Sequence, residues 1–233
     1  HVPLIDSNYR VGGSEVIVVE SCEYQRSFLD FPPHIAVVLN VEEDHVDIYK
    51  DLDAVKAAFR QYVSEVPSDG FVIANADDAA VMEVVNGALA TVVTFGIQNG
   101  KIQAKNIQMD NLGRASFDVT DDGVDLFSVS LPVPGTFNVY NSLAAVAAAL
   151  VLGADPAQIK AGLLNYSGVD RRLQELWTIN GVRFIEDYGH HPTDVRVPMD
   201  TIVHDVYNQL IVVEQLHTFY RLNRFFDDFI ALF

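Results

Sequence analysis

The chain has 233 residues, with 32 Asp+Glu against 15 Lys+Arg and a formal net charge of −17. Nucleic acid and anionic lipid both need a basic surface, so a polyanion of this size excludes them as expected partners. Apolar residues make up 49% of the chain and no apolar run nears the roughly 20 residues of a spanning helix, which points to a packed core of one large or two modest domains.

The lone Cys22 forms no internal disulfide and fits a reducing compartment, the cytoplasm. HVPLIDSNYR has neither the basic nor the apolar region of a leader. It opens on His1 just before an apparent strand, so the chain is expected to begin mid-domain.

EVIVVE (15–20) and IAVVLN (35–40) are apolar throughout, as parallel strands covered on both faces are. Leu52, Val55, Phe59, Tyr62, Val63 and Val66 recur at helical steps. FVIANADD (71–78), a short helix around 81–85 and TVVTFG (91–96) continue an α/β alternation. From 102 to 133 short alternating strands with turns at Asn111-Leu112-Gly113 and Asp121-Asp122-Gly123 predict an antiparallel flank.

PGTFNVYNSLAAVAAALVLG (134–153) predicts a helix ending at Gly153, and Asp155-Pro156 starts another. A domain boundary is placed near 168–172. Beyond it, LQELWTI and VRFIEDY flank the hairpin signal Asn180-Gly181. QLIVVEQ (209–215) reads as a further buried strand, and Leu222, Phe225, Phe226, Phe229 and Ile230 share one helical face. The expected fold is therefore α/β, with domains at 1–168 and 169–233, the second too short for a complete α/β unit.

Candidate chemistry gathers at strand exits, where open α/β sheets bind ligands. Glu20, with Glu23 in the next turn, leaves the first strand; Asn40, Asp44, His45 and Asp47 leave the second. Glu20 and His45 could share a metal ion, or this is a solvated acidic loop. Asn138 and Asn141 start a helix, where paired amides suit an adenine edge and a single Asn suits a cap. Arg171-Arg172 at the boundary suits phosphate oxygens or an interdomain salt bridge. In DYGHHPTDVR, the side chains of Asp187, Tyr188, His190 and His191 follow a strand, with Gly189 letting the backbone turn, Pro192 fixing φ and Thr193 able to cap a helix. The phosphate-loop pattern GxxxxGK[ST] is absent: the one Gly-Lys pair, Gly100-Lys101, is followed by Ile102.

VESCEYQRSFL, NVEEDHVDIY, LPVPGTFNVYNSLAAVAAAL, GVDRRLQ and IEDYGHHPTDVR, in this order, resemble the Mur ligase family over almost the whole chain. The resemblance implies a central ATP-binding domain lacking its phosphate-loop portion, then a truncated Rossmann-like C-terminal domain. It is closest to members that join L-alanine to UDP-N-acetylmuramate through an acyl phosphate, with ATP and Mg2+.

By that resemblance Glu20 and His45 hold magnesium, Asn138 and Asn141 contact adenine, and Arg172 and Asp187 engage the nucleotide. Tyr188, His190, His191, His217 and Arg221 line the acceptor side, with His190, His191 and Arg172 catalytic. Leu216, Tyr220 and Leu222 replace the family's Pro, Ser and Thr in the closing LHTFYRL, and Pro198 falls where the family continues a helix. Three other readings compete. A sister ligase that recycles murein peptide is expected to lack His217-Thr218; a metal hydrolase using Glu20, Asp44 and His45 would want an HxH or HExxH set; the third is a non-catalytic remnant.

Overall fold

The computed structural model describes residues 1–202 and 207–232. Strands β1 (Ile35–Val38), β2 (Phe71–Asn75) and β3 (Thr91–Gly96) pair in parallel, with helices α1 (Leu52–Ser64) and α2 (Ala79–Val85) as their crossovers. A short parallel pairing joins β3 to β4 (Ile102–Met109), and β5 (Arg114–Asp121) and β6 (Val124–Pro134) extend the sheet antiparallel. The six strands lie in sequence order. Helices α3 (Thr136–Val151) and α4 (Pro156–Asn165) follow.

Local chemistry sets the helix starts. The Asp51 and Asp78 carboxylates accept the Ala54 and Val81 N–H groups, and Asp155 with Gln158 forms a reciprocal capping box ahead of Pro156. The sheet separates two cores, and β2 shows why its sequence is apolar throughout. Val72 and Ala74 pack with Val55, Val63 and Val81 of α1 and α2, whereas Ile73 packs with Leu143 and Val146 of α3. Each fully buried Val, Ile or Leu contributes about 1.5–3 kcal/mol.

Beyond α4, β7 (Gln174–Ile179) and β8 (Val182–Glu186) form a hairpin. Asn180 and Gly181 both take positive φ, +53° and +81°, as a two-residue turn matched to strand twist requires. Helix α5 (Pro192–Ile202) runs through Pro198, which has no N–H for the Asp194 carbonyl one turn earlier. That carbonyl lies against Gly189, where an added Cβ would stand 2.7 Å from it. Gly189 is thus required for close approach and not, as its sequence context suggested, for a turn. Short helices α6 (Phe219–Arg224) and α7 (Phe226–Ile230) close the described chain.

Three sequence expectations are corrected. EVIVVE and QLIVVEQ belong to no strand, and Val18 and Val213 are each 90% exposed. An apolar run becomes a buried strand only where a neighbour satisfies its backbone and layers cover its faces; among the described residues β1 is the sheet edge, and neither run pairs with it. The third correction is the terminal helix. It breaks at Phe225 (φ −113°, ψ 27°), so Phe229 is buried while Phe226 and Ile230 are exposed.

Asp77, just past β2, ties three elements together. Its carboxylate accepts the backbone N–H groups of Ile97, Gln98 and Asn99 at 2.7, 2.9 and 2.8 Å, and the Tyr140 hydroxyl of α3 at 3.1 Å. Burial raises the Asp77 pKa, but the N–H groups of Gln98, Ile97 and Asn99 outweigh it and hold the acid below its ordinary value. Burial, with the Asp77 charge beside it, pushes Tyr140 up to about 12. Asp77→Ala should cost about 1–3 kcal/mol at pH 7, since several donors lose their acceptor. A depressed folded pKa stabilises fully above the unfolded Asp value, about 3.9, and the gain is lost as pH falls through the folded value. Urea unfolding of both proteins across pH 3–7 should show the gap closing in acid.

Candidate active site

The loop leaving β1 carries Glu42, Glu43, Asp44 and His45 in succession. Tyr49 and Tyr24 anchor it: the Tyr49 hydroxyl donates to the Glu23 carbonyl at 2.5 Å, the Tyr24 ring lies 5.0 Å from His45, and the Tyr24 hydroxyl donates to Asp47. His45 Nε2 bonds Glu23 Oε1 at 2.8 Å. That bond, against opposing burial, lowers the Glu23 pKa and raises that of His45. Burial pushes Asp44 up, but the His45 backbone N–H and the Arg221 guanidinium more than reverse it.

Each of the three acids meets one residue from beyond 190. Thr193 Oγ1 donates to Glu42 at 2.5 Å, Arg224 Nε to Glu43 at 2.6 Å, and Arg221 to both oxygens of Asp44 at 3.0 and 3.1 Å. Thr218 caps α6 and so sets Arg221 in its first turn. Arg221 is only 6% exposed, and its other Nη donates to the His217 carbonyl at 3.3 Å. The His217 ring packs edge-on to His190 at 5.5 Å. His190 in turn donates from Nδ1 to the Tyr188 carbonyl at 3.0 Å and packs against the Tyr188 ring. Tyr188, His190, His217 and Arg221 are therefore one contact chain ending on Asp44.

His191, 6% exposed, starts α5. Its carbonyl accepts the Val195 N–H at 3.0 Å, its Nδ1 accepts the Thr193 N–H at 3.3 Å, and its ring meets the edge of Phe225 at 4.7 Å. The cap is thus His191, and the Thr193 hydroxyl, read in the sequence as a cap, reaches Glu42 instead. His191 Nε2 is buried with no hydrogen-bond partner, a state that costs about 1–3 kcal/mol. His191 is among the residues lining a cavity of about 210 Å3, with Glu23, Asn40, Asp44, His45 and Asp194.

Glu20 is exposed and does not line this cavity; the carboxylate on His45 is Glu23, three residues on. Among the described residues no group of three His, Cys, Asp or Glu is arranged to hold a metal ion. Magnesium commonly takes only one or two protein carboxylates and fills its shell with water and phosphate oxygens, so the oxygen-rich donor set here fits it as a partial shell. Asn138 donates to the Pro134 carbonyl at 2.7 Å, and Asn141, exposed, donates to Asn138 Oδ1 at 3.3 Å. Neither is the N-cap, which is Gly135. Asp187 accepts the Leu173 and Gly189 N–H groups, and no described hydrogen bond joins it to either Asn. Arg171 pairs with Glu186 and lies over the Tyr188 ring at 4.3 Å. Arg172 is exposed, its guanidinium 6.0 Å from the same ring.

Sequence reasoning singled out Asp44 and His45 but missed Glu42, Glu43, Thr193, Asp194 and Arg224 as site-forming residues. Their one signal, a run of three acids, does not name partners 151 to 181 residues away.

Residues 1–149 match the family model described as the Mur ligase middle domain. The chain belongs to the Mur ligase family. It is 42% identical over 230 residues to the UDP-N-acetylmuramate–L-alanine ligase of Clostridium perfringens, covering 99% of this chain and 50% of that one. It is 41% identical to the Clostridium tetani protein of the same name, with the same coverage. The chain thus spans about half the length of the curated relatives it matches. Among solved structures it resembles MurF of Acinetobacter baumannii (TM-score 0.70, 26% identity, 78% of this chain and 40% of that one). It also resembles the UDP-N-acetylmuramate-alanine ligase MurC of Thermotoga maritima (0.65, 25%, 77% and 40%).

Breaking the Asp44–Arg221 pair leaves a buried guanidinium without its carboxylate. Asp44→Ala should cost about 2–4 kcal/mol, reduced from a fully buried pair because Asp44 is partly exposed. A double-mutant cycle with Arg221→Met, read by urea unfolding, should return a coupling of about 1–3 kcal/mol. Additive losses would show that the pair contributes nothing.

Proposed function

We propose that this chain serves an ATP-dependent ligase that joins L-alanine to the carboxylate of UDP-N-acetylmuramate in peptidoglycan precursor synthesis. The observation that carries the reading is an acidic cavity on which His45 and His191 converge from separate halves of the chain. The names of relatives near 40% identity support the choice of substrates. In this reading Arg172, free of any carboxylate in the described contacts, meets phosphate oxygens as the second unit closes, and Asp187 also engages the nucleotide. Asn138 and Asn141 read adenine, and Tyr188, His190, His217 and Arg221 shape the acceptor side.

Magnesium would offset phosphate charge when bound; His45 and the carboxylates beside it, Glu23 and Asp44, would hold it, since Glu20 does not line the cavity. For that, His45 must first leave Glu23, so the 2.8 Å bond holds the ring ready but closed. The exposed Cys22 is compatible with a cytoplasmic setting.

A phosphate-release assay with ATP, magnesium and UDP-N-acetylmuramate tests the proposal. A chimaera carrying these 233 residues in place of the aligned half of the Clostridium perfringens ligase should release phosphate only when L-alanine is added. The 233 residues alone, with no GxxxxGK[ST] to hold the β- and γ-phosphates, should release none. Turnover with a murein tripeptide but not with L-alanine would assign the recycling reaction instead. A folded chimaera inactive with both, beside an active parent, would identify a remnant.

A further inference from the structure

We infer that His191 is a hydrogen-bond donor held in one tautomer, and that Thr193 and Glu42 are the positioning residues that hold it there. The inference rests on the ligase reading only for the identity of the oxygen that receives the bond.

The Thr193 N–H points at His191 Nδ1, so Nδ1 must present a lone pair and the ring proton of the neutral imidazole sits on Nε2. That Nε2–H is buried and has no acceptor, and His191 is among the residues that line the acidic cavity. Metal ligation through Nε2 would require that nitrogen's lone pair and a proton on Nδ1, which would remove the cap on α5. The ring is therefore set to donate from Nε2 and not to bind a metal through it. Its complement is an oxygen acceptor, which in the ligase is an oxygen of the reacting acyl group or of the phosphoryl group.

Several contacts hold the ring in this state. Pro192 fixes the backbone directly after it, and Phe225 packs edge-on against the imidazole. The Thr193 hydroxyl donates to Glu42 at 2.5 Å, so the residue that fixes the tautomer is itself fixed to the loop after β1. Glu42 also belongs to the cavity wall. The relay Glu42–Thr193–His191 thus gives the donor its direction only while both halves of the chain are in register.

Nitrogen-15 NMR of the histidine-labelled 233-residue chain reads the tautomer directly and needs no activity. His191 should show a protonated Nε2 and an unprotonated Nδ1, and Thr193→Val, which keeps the backbone N–H but loses the bond to Glu42, should raise the share of the Nδ1–H tautomer. A proton on Nδ1 in the parent, or an unchanged single tautomer in Thr193→Val, would overturn the inference. Asn at position 191 keeps an oxygen where Nδ1 accepts but has nothing at the ε position. In the chimaera, His191→Asn should therefore keep the parental melting temperature and lose at least about tenfold in kcat. Thr193→Val should lower kcat with little change in KM, and Thr193→Ser should restore it. Parental kcat in a folded His191→Asn would sink the donor role. If the unsubstituted chimaera has no alanine-dependent turnover, the ligase reading fails, and the tautomer result still stands or falls by itself.

Discussion

Three like charges in a row at the end of an edge strand repel one another, and in a chain of net charge −17 there is little positive potential to offset them. Glu42, Glu43 and Asp44 keep their places because each has a separate donor, Thr193, Arg224 and Arg221. Only the Asp44 contact is a buried, two-pronged ion pair, and it dominates. The other two are exposed on at least one side and contribute chiefly by direction. Everything described as the site follows from this clasp. The cavity's walls come from residues 23–59 on one side and 191–194 on the other, so the space exists only while the clasp is closed.

The clasp also divides the cations by task. Arg221 is saturated by Asp44 and the His217 carbonyl, so an anionic ligand reaching it must displace a carboxylate already paid for by burial. Arg171 is held by Glu186 and by Tyr188. Arg172 is exposed, with the Tyr188 ring 6.0 Å away. Arg221 is thus committed to architecture, and of these three Arg172 is the guanidinium left without a carboxylate among the described contacts.

Most of the fold was legible because its signals are local. Asp51, Asp78 and the Asp155–Gln158 pair announce three helices within four residues of their starts, and Asn180-Gly181 fixes a hairpin by backbone conformation alone. EVIVVE misled because hydrophobic pattern reports what a segment could bury, not whether a layer is there to cover it. The site was legible in kind but not in pairing. His45 and a carboxylate were expected together, yet the 3-10 turn at Tyr24–Asp30 and the Tyr49 bond to the Glu23 backbone bring Glu23 to the imidazole and leave Glu20 outside. Three residues of offset in an irregular segment lie below what spacing arguments resolve. Thr193 shows the same limit. Its position just inside a helix is a capping signal, but capping went to the residue two before it, and the hydroxyl was free to reach a loop 151 positions away.

The doubled histidine can be understood in these terms. Adjacent residues at a helix start point in different directions, and here the two rings have different neighbours. His190 donates from Nδ1 to the Tyr188 carbonyl and packs against His217, on the side that leads to Arg221. His191 accepts at Nδ1 from the helix it caps and packs against Phe225. In their neutral forms the two rings are therefore opposite tautomers: His190 leaves an acceptor at Nε2, and His191 leaves a donor. Two rings with opposite polarity, set side by side by one rigid Pro192, can address two different atoms of a ligand from a single turn of chain. A buried donor left without a partner is a standing cost to the fold, and a fold bears such a cost where its surroundings fix the group and a ligand relieves it.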